Sequence, residues 1–299
     1  MIRRPDADML PRLKQIWQQC FGDDARGTDF VFANLLGPMQ MLVEVDEGGQ
    51  PVAMLNWKLL QFQTPEPTAP QGLRTLAGAY IFGIATLPEH RGKGISTALL
   101  GSAHELLAKE GAALACLIPA QGSLFDFYAA RGFGTRFFYN RLRLDRTQIP
   151  QPRMPGVLSV ASLSDFATLR AAAFAGRSLF GAWDEGYLRY VMRECRFYGG
   201  EVLRFSCAGS VGYAVCYPRP DGTLLVKEAA LQPRSLSAFL AALDTRYHAK
   251  NYHIRLPTDF PTDTKLEITP LGMIKWYDKD CEQAQAQGGA PWFAFGLDD

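Results

Sequence analysis

Within Ile84-Ala-Thr-Leu-Pro-Glu-His-Arg-Gly-Lys-Gly-Ile-Ser96, two glycines stand at alternate positions, Gly92 and Gly94, between a β-like apolar run and a helical one. A turn of this kind aims consecutive backbone N–H groups outward, with the positive end of the following helix behind them. The result is an anion site suited to a pyrophosphate. Arg91 and Lys93 add charge at its rim, and Ser96 is small enough to leave it open. A side chain at Gly92 or Gly94 would block the phosphate oxygens or forbid the backbone angles required. Taken alone, so short a motif reads equally well as a solvated loop capping a helix.

Downstream, Leu124 to Phe133 (LFDFYAARGF) places Tyr128 in a short helical run ahead of a glycine turn. A phenol can give a proton, or a strong hydrogen bond, to a thiolate of similar basicity. Phe125, Phe127 and Phe133 around it read as core, and core packing is the plain alternative for Tyr128 as well. His90 and His104 read as surface residues with no metal-spaced partner, so no chemistry is assigned to them.

The elements that must position these groups are read from periodicity. Met9, Leu10, Leu13, Ile16, Trp17 and Cys20 recur at helical steps through Asp6 to Gly22. A second short helical stretch comes after GDDARGTD. Met41 to Val45 and Val52 to Phe62 read as a β-hairpin across the turn DEGGQP, and Leu76 to Leu87 as another strand. Ile95 to Lys109 is helical, Ala112 to Ile118 a buried strand, Ser123 to Ala130 a short helix and Arg136 to Leu144 a strand. Trp57, Phe62, Tyr80 and Phe82 fall on the strands, where they either line a cleft or pack in a core.

The proline-rich TQIPQPRMPG then suggests a boundary near Gln151. Beyond it the order is strand (157–160), helices (165–175, 185–193), strands (201–208, 211–218, 223–230) and helix (235–250), which repeats the order of the first half without a residue-level repeat.

The chain has 299 residues, 47% hydrophobic and 20% charged, enough for two domains. Its 31 basic and 30 acidic side chains are intermixed, which argues against nucleic acid as a partner. No stretch approaches the ~18 apolar residues of a membrane span, and the N-terminus lacks the apolar run of a secretory signal. Six scattered cysteines without a C-x-x-C pair fit a reducing, cytoplasmic setting.

The stretch IFGIATLPEHRGKGISTALL resembles the acetyl-CoA-binding motif of the GNAT N-acetyltransferases, in which Arg or Gln is followed after two residues by Gly and, one residue further, by Gly or Ala. Arg91 and Gly94 match, and Ser96 departs from the pattern by a small step. Tyr128 matches the tyrosine of the family's second motif. The opening LKQIWQQCFGDD is similar to bacterial members with two fused GNAT-like domains, among them the Eis-like acetyltransferases. The resemblance is good to about Leu144 and weak beyond.

The resemblance implies an α/β mixed-sheet GNAT fold: a catalytic domain over residues 1–150 and a degenerate GNAT-like domain with a C-terminal strand over 151–299. It implies acetyl-CoA as cosubstrate and no metal, with Ile84, Ala85 and Thr86 beside the thioester. The pyrophosphate falls to Arg91, Gly92, Lys93, Gly94, Ile95, Ser96 and Thr97, with Ser123 also on the cosubstrate. Tyr128 becomes the acid for the departing thiolate. A bulge near Ile84 to Thr86 would free donors for the thioester oxygen. No Glu, Asp or His lies in Leu76 to Leu87, so the base is a water relay or the chain-end carboxylate of Asp299, against which stands an edge strand with a solvated end. The second half reads ALQPRSLSAF where a glycine turn would stand, so it is expected not to hold CoA. The expected reaction is acetyl transfer to a primary amine of a small molecule or peptide. The alternatives are a non-catalytic acyl-CoA sensor and a FemX-like aminoacyl transferase, the latter opposed by near-neutral charge and an intact RGKG.

Overall fold

The structure is a computed structural model and describes residues 1–69, 72–261, 266–283 and 289–293. In chain order the elements are β1 (Ile2–Arg3), α1 (Leu10–Phe21), α2 (Ala25–Asn34), β2 (Met41–Val45), β3 (Pro51–Pro65), β4 (Leu73–Thr86), α3 (Ile95–Lys109), β5 (Leu114–Leu117), α4 (Ser123–Ala129) and β6 (Gly134–Asp145). They continue as β7 (Val157–Val160), α5 (Leu163–Phe174), β8 (Phe180–Ala182), α6 (Glu185–Phe197), β9 (Glu201–Cys207), β10 (Ser210–Pro218), β11 (Thr223–Ala230), α7 (Leu236–Tyr247), β12 (Asn251–Leu256), β13 (Glu267–Trp276) and α8 (Lys279–Gln283).

The chain forms two compact units. The first takes Met1–Gln61, Leu76–Gly134 and Met273–Gln283; the second takes Phe62–Thr75, Thr135–Gly272 and the described residues of Ala284–Asp299.

In the first unit the strand order is β1-β2-β3-β4-β5-β13. β2 pairs antiparallel with β3, β4 parallel with β5, and β13 antiparallel with β5. The apolar stripe of α3 (Leu99, Leu100, Ala103, Leu107) packs with Leu55, Trp57, Ala79, Ile81 and Ala115 from the strands. Helix α1 ends because Gly22 adopts φ 76°, the left-handed cap that glycine permits most readily. Asp24 then caps α2 by accepting from the Gly27 N–H at 2.7 Å.

In the second unit the order is β6-β12-β11-β10-β9-β7. β11 and β12 run parallel, while β12 with β6, β10 with β11, β10 with β9 and β7 with β9 run antiparallel. Helix α5 begins in a capping box between Ser162 and Asp165, and α7 lies on a core of Phe205, Leu224, Val226, Tyr252 and Ile254.

The strand aromatics resolve as core: Trp57 and Tyr80 are 2% exposed, Phe62 is fully buried and Phe82 is 6% exposed. His104, expected at the surface, is buried against Tyr277, whose hydroxyl lies 2.6 Å from Nδ1. The partner is 173 positions away, and β13, which brings it, contains a Pro and a Gly that read as breakers. Periodicity alone marks neither β12 nor β13.

Candidate active site

β4 outruns its parallel partner. Pairing runs Gly78↔Leu114, Ala79↔Ala115 and Tyr80↔Cys116, while β4 continues to Thr86 and β5 ends at Leu117. Among the described pairings, the last residues of β4 therefore have no strand on the β5 side. In this stretch Gly83 has φ 57°, and its carbonyl accepts from Asn56 Nδ2 at 3.0 Å. A positive φ inside a strand breaks the pleat as a glycine bulge does. Only glycine fits, since a Cβ there would sit 2.6 Å from Trp17 Cζ3 and 2.8 Å from Asn56 Nδ2.

Thr86 fastens the strand end to the glycine turn and to α3. Its carbonyl accepts from Arg91 Nε at 3.0 Å and from the Cys20 thiol at 3.5 Å, and its hydroxyl lies 3.0 Å from Ser96 Oγ. Arg91 thus spends its Nε on holding the turn, and its Nη2 lies 4.0 Å from Cys20 Sγ.

Gly92 and Gly94 adopt φ 76° and 77°, and a Cβ at either would meet nothing within 4 Å. Their requirement is conformational, since within the protein there is room. Gly94 is the N-cap of α3 and supplies no side-chain cap. The first closing bond of the helix is Ala98 N to Gly94 O at 3.0 Å. Among the described residues, the N–H groups of Gly92, Lys93, Gly94, Ile95, Ser96 and Thr97 have no acceptor. Residues 91–94 and 97 are exposed, while Ile95 and Ser96 are half-buried. Six such donors at a helix N-terminus match a pyrophosphate, so this chain fits the group that its motif implies.

Tyr128 sits in α4 and is 8% exposed. Phe127 and Phe133 meet its ring edge-to-face at centroid distances of 5.1 and 5.9 Å. Burial pushes its hydroxyl up to about 12, with Arg131 opposing. No group among the described residues hydrogen-bonds that hydroxyl.

Arg131 is a residue that motif reading misses, and it joins the two motifs. Its Nη2 and Nε donate to Thr97 Oγ1 at 2.6 and 3.1 Å. Its guanidinium carbon stacks 3.5 Å from the Phe127 ring centroid, and its carbonyl accepts from Lys275 Nζ at 2.9 Å. The end of α4 is thereby held beside the first turn of α3. The signal in the sequence is the AARGF turn, where Arg131 looks like a solvated charge. Ser123 opens α4 as an exposed residue. Asp299 lies outside the described residues, as do Ala294 to Asp298 before it. Among the described residues, no three His, Cys, Asp or Glu side chains are placed to hold a metal ion, and no helix is long and apolar enough to cross a membrane.

Residues 1–136 match the family described as acetyltransferase (GNAT) domain. A mycothiol acetyltransferase of Frankia casuarinae is 37% identical over 111 residues, which cover 32% of this chain and 31% of that one. The match thus spans about a third of that relative's length. Eis1 from Mycobacterium abscessus superposes with a TM-score of 0.65 at 16% identity, over 93% of this chain and 74% of that one. A conserved protein of unknown function from Enterococcus faecalis V583, named a probable N-acyltransferase, does so with a TM-score of 0.72 at 16% identity, over 94% and 73%. The mixed α/β fold is that of these two solved structures, and residues 1–136 carry the match to a GNAT acetyltransferase domain.

Proposed function

We propose that this protein transfers the acetyl group of acetyl-CoA to a primary amine of a small molecule or peptide. The observation that carries this reading is the run of six unengaged N–H donors ahead of α3, tied through Arg131 to the helix bearing Tyr128. When bound, acetyl-CoA supplies an acetyl group activated as a thioester.

The main chain of Gly92 to Thr97 holds the pyrophosphate, and Arg91 and Lys93 add positive charge at its rim. Ile84, Ala85 and Thr86 flank the acyl group on the stretch of β4 that has no β5 partner. Ser123 touches the cosubstrate from the start of α4. Tyr128 keeps its proton through the neutral range and delivers it to the departing sulfur. The amine loses its proton to a water relay or to the Asp299 carboxylate.

In this reading residues 1–150 are the catalytic domain and 151–299 a degenerate GNAT-like domain. The strand-to-helix turn between β11 and α7 has Gln232, Pro233 and Arg234 in place of glycines, which supports the second half of that division. A cytoplasmic setting belongs to the same reading, supported by six free thiols.

The test is thermal unfolding of wild type and Gly94→Trp with and without acetyl-CoA, followed by thiol release over a panel of amines. At a hundredfold excess over Kd the ligand stabilises by about 2.7 kcal/mol. A shift in wild type alone, with thiol release on some amine, upholds the proposal. No shift in wild type sinks it, and a shift without turnover on any amine leaves an acyl-CoA sensor.

A further inference from the structure

Acetyl transfer makes no use of a basic cleft in the second unit. A cavity of about 300 Å³ opens on the sheet face built by β6, β12 and β11. Arg141 and Arg143 line it from β6, Arg255 from β12 and Arg219 from the turn after β10; Asp221 is the one carboxylate among the described lining residues. Antiparallel register sets Arg141 directly opposite Arg255, and Arg143 directly opposite His253. Side chains so paired have Cβ atoms ~5 Å apart, a distance at which like charges weaken a sheet.

The fold does not demand that arrangement. Residues of the opposite parity, Leu142, Tyr252 and Ile254, face the apolar core under α7, so uncharged polar residues would serve on the cleft face. Glu267 reaches Arg141 at 3.7 Å with its own side chain 65% exposed. Asp221 is engaged by the Thr223 N–H at 2.8 Å. His253 registers the field: its pKa is lowered by burial and then by Arg143, with Arg141 and Arg219 adding to this and Asp221 opposing.

The arginines are also pre-oriented. Arg141 and Arg255 lie 5.7 and 5.1 Å from the Tyr139 ring centroid, and Arg141 Nη2 donates to the Tyr139 hydroxyl at 3.1 Å. Guanidinium forks held on an aromatic ring match the oxygens of a phosphate, and they need not be gathered from solution when it binds.

We propose that this cleft binds the dianionic phosphate group of a small molecule. Its volume is at the lower end of ligand sites, ~300 Å³, and the near-neutral net charge of +1 argues against an extended polyanion.

The full chain carrying Gly94→Trp isolates this cleft from the glycine turn between β4 and α3, and the test uses no acetyl-CoA, so it stands or falls apart from acetyl transfer. Titration calorimetry with glucose 6-phosphate and with inorganic phosphate, with acetate at equal ionic strength as control, reads the affinity. Saturable binding of either phosphate is expected, and the tighter of the two identifies whether the source is an ester or the free ion. Arg143→Gln weakens it about tenfold and Arg143→Lys less, as loss of a charged fork requires. Arg143 is exposed, and a wild-type circular dichroism spectrum confirms that each variant is folded. Absence of saturable binding, equal affinity in Arg143→Gln, equal binding of acetate, or tighter binding of a short single-stranded oligonucleotide overturns the proposal.

Discussion

Arg131 grips Thr97: two of its guanidinium nitrogens lie 2.6 and 3.1 Å from the threonine hydroxyl, which ties the end of α4 to the first turn of α3. The unengaged donors ahead of α3, proposed to hold an anion, and the tyrosine proposed as acid are linked by this side chain.

Replacing Arg131 with Ala should therefore loosen both motifs together. Removing hydrogen bonds to a charged donor costs about 1.5–3 kcal/mol. The expected outcome is a lower Tm and a raised KM for acetyl-CoA. An unchanged KM with lowered Tm would make Arg131 purely a packing residue.

Tyr128→Phe tests the acid role with little change in shape. A positioned proton donor contributes ~10²–10⁴-fold, so kcat should fall by at least about a hundredfold. Acetyl-CoA affinity and Tm should hold. Because burial raises the hydroxyl to about 12, wild-type stability is unaffected by this group below the free tyrosine value near 10 and falls as pH rises from there towards 12, a loss that Tyr128→Phe lacks. Comparing the alkaline unfolding of wild type and Tyr128→Phe checks this sign.

His104 gives the opposite limb. Burial, and then Lys275, lower its pKa to about 4, so its contribution is complete above the free value near 6.5 and disappears as pH falls through 4. Nε2 has no hydrogen-bond partner among the described residues, so a protonated ring would place a buried charge there without an acceptor. Replacing His104 with Gln should flatten the loss of stability between pH 6.5 and 4, as followed by thermal unfolding across that range.

Gly83→Ala should be far more costly than Gly92→Ala. At Gly83 a methyl group meets Trp17 at 2.6 Å and the backbone has φ 57°; at Gly92 only the positive φ penalises it. About 1 kcal/mol is expected at Gly92 and at least about 3 kcal/mol at Gly83, adding overpacking to the same backbone cost. Chemical denaturation of both variants measures the difference. Equal losses would mean that Trp17 moves aside.

Local pattern is enough to find α3 to the residue, β7 in full and the strand–turn–helix around Gly92 and Gly94. Period-3.6 and period-2 burial, and the conformational freedom of glycine, act over a few residues and are written into the chain. The left-handed glycines of RGKG and the short helix that bears Tyr128 are legible for the same reason. Tertiary structure decided what depends on partners distant in sequence: β13 returning to pair with β5, Tyr277 sealing His104, Arg131 reaching Thr97, and Arg141 placed opposite Arg255. Register and side-chain reach settle such meetings, and no short window of residues contains both halves of them.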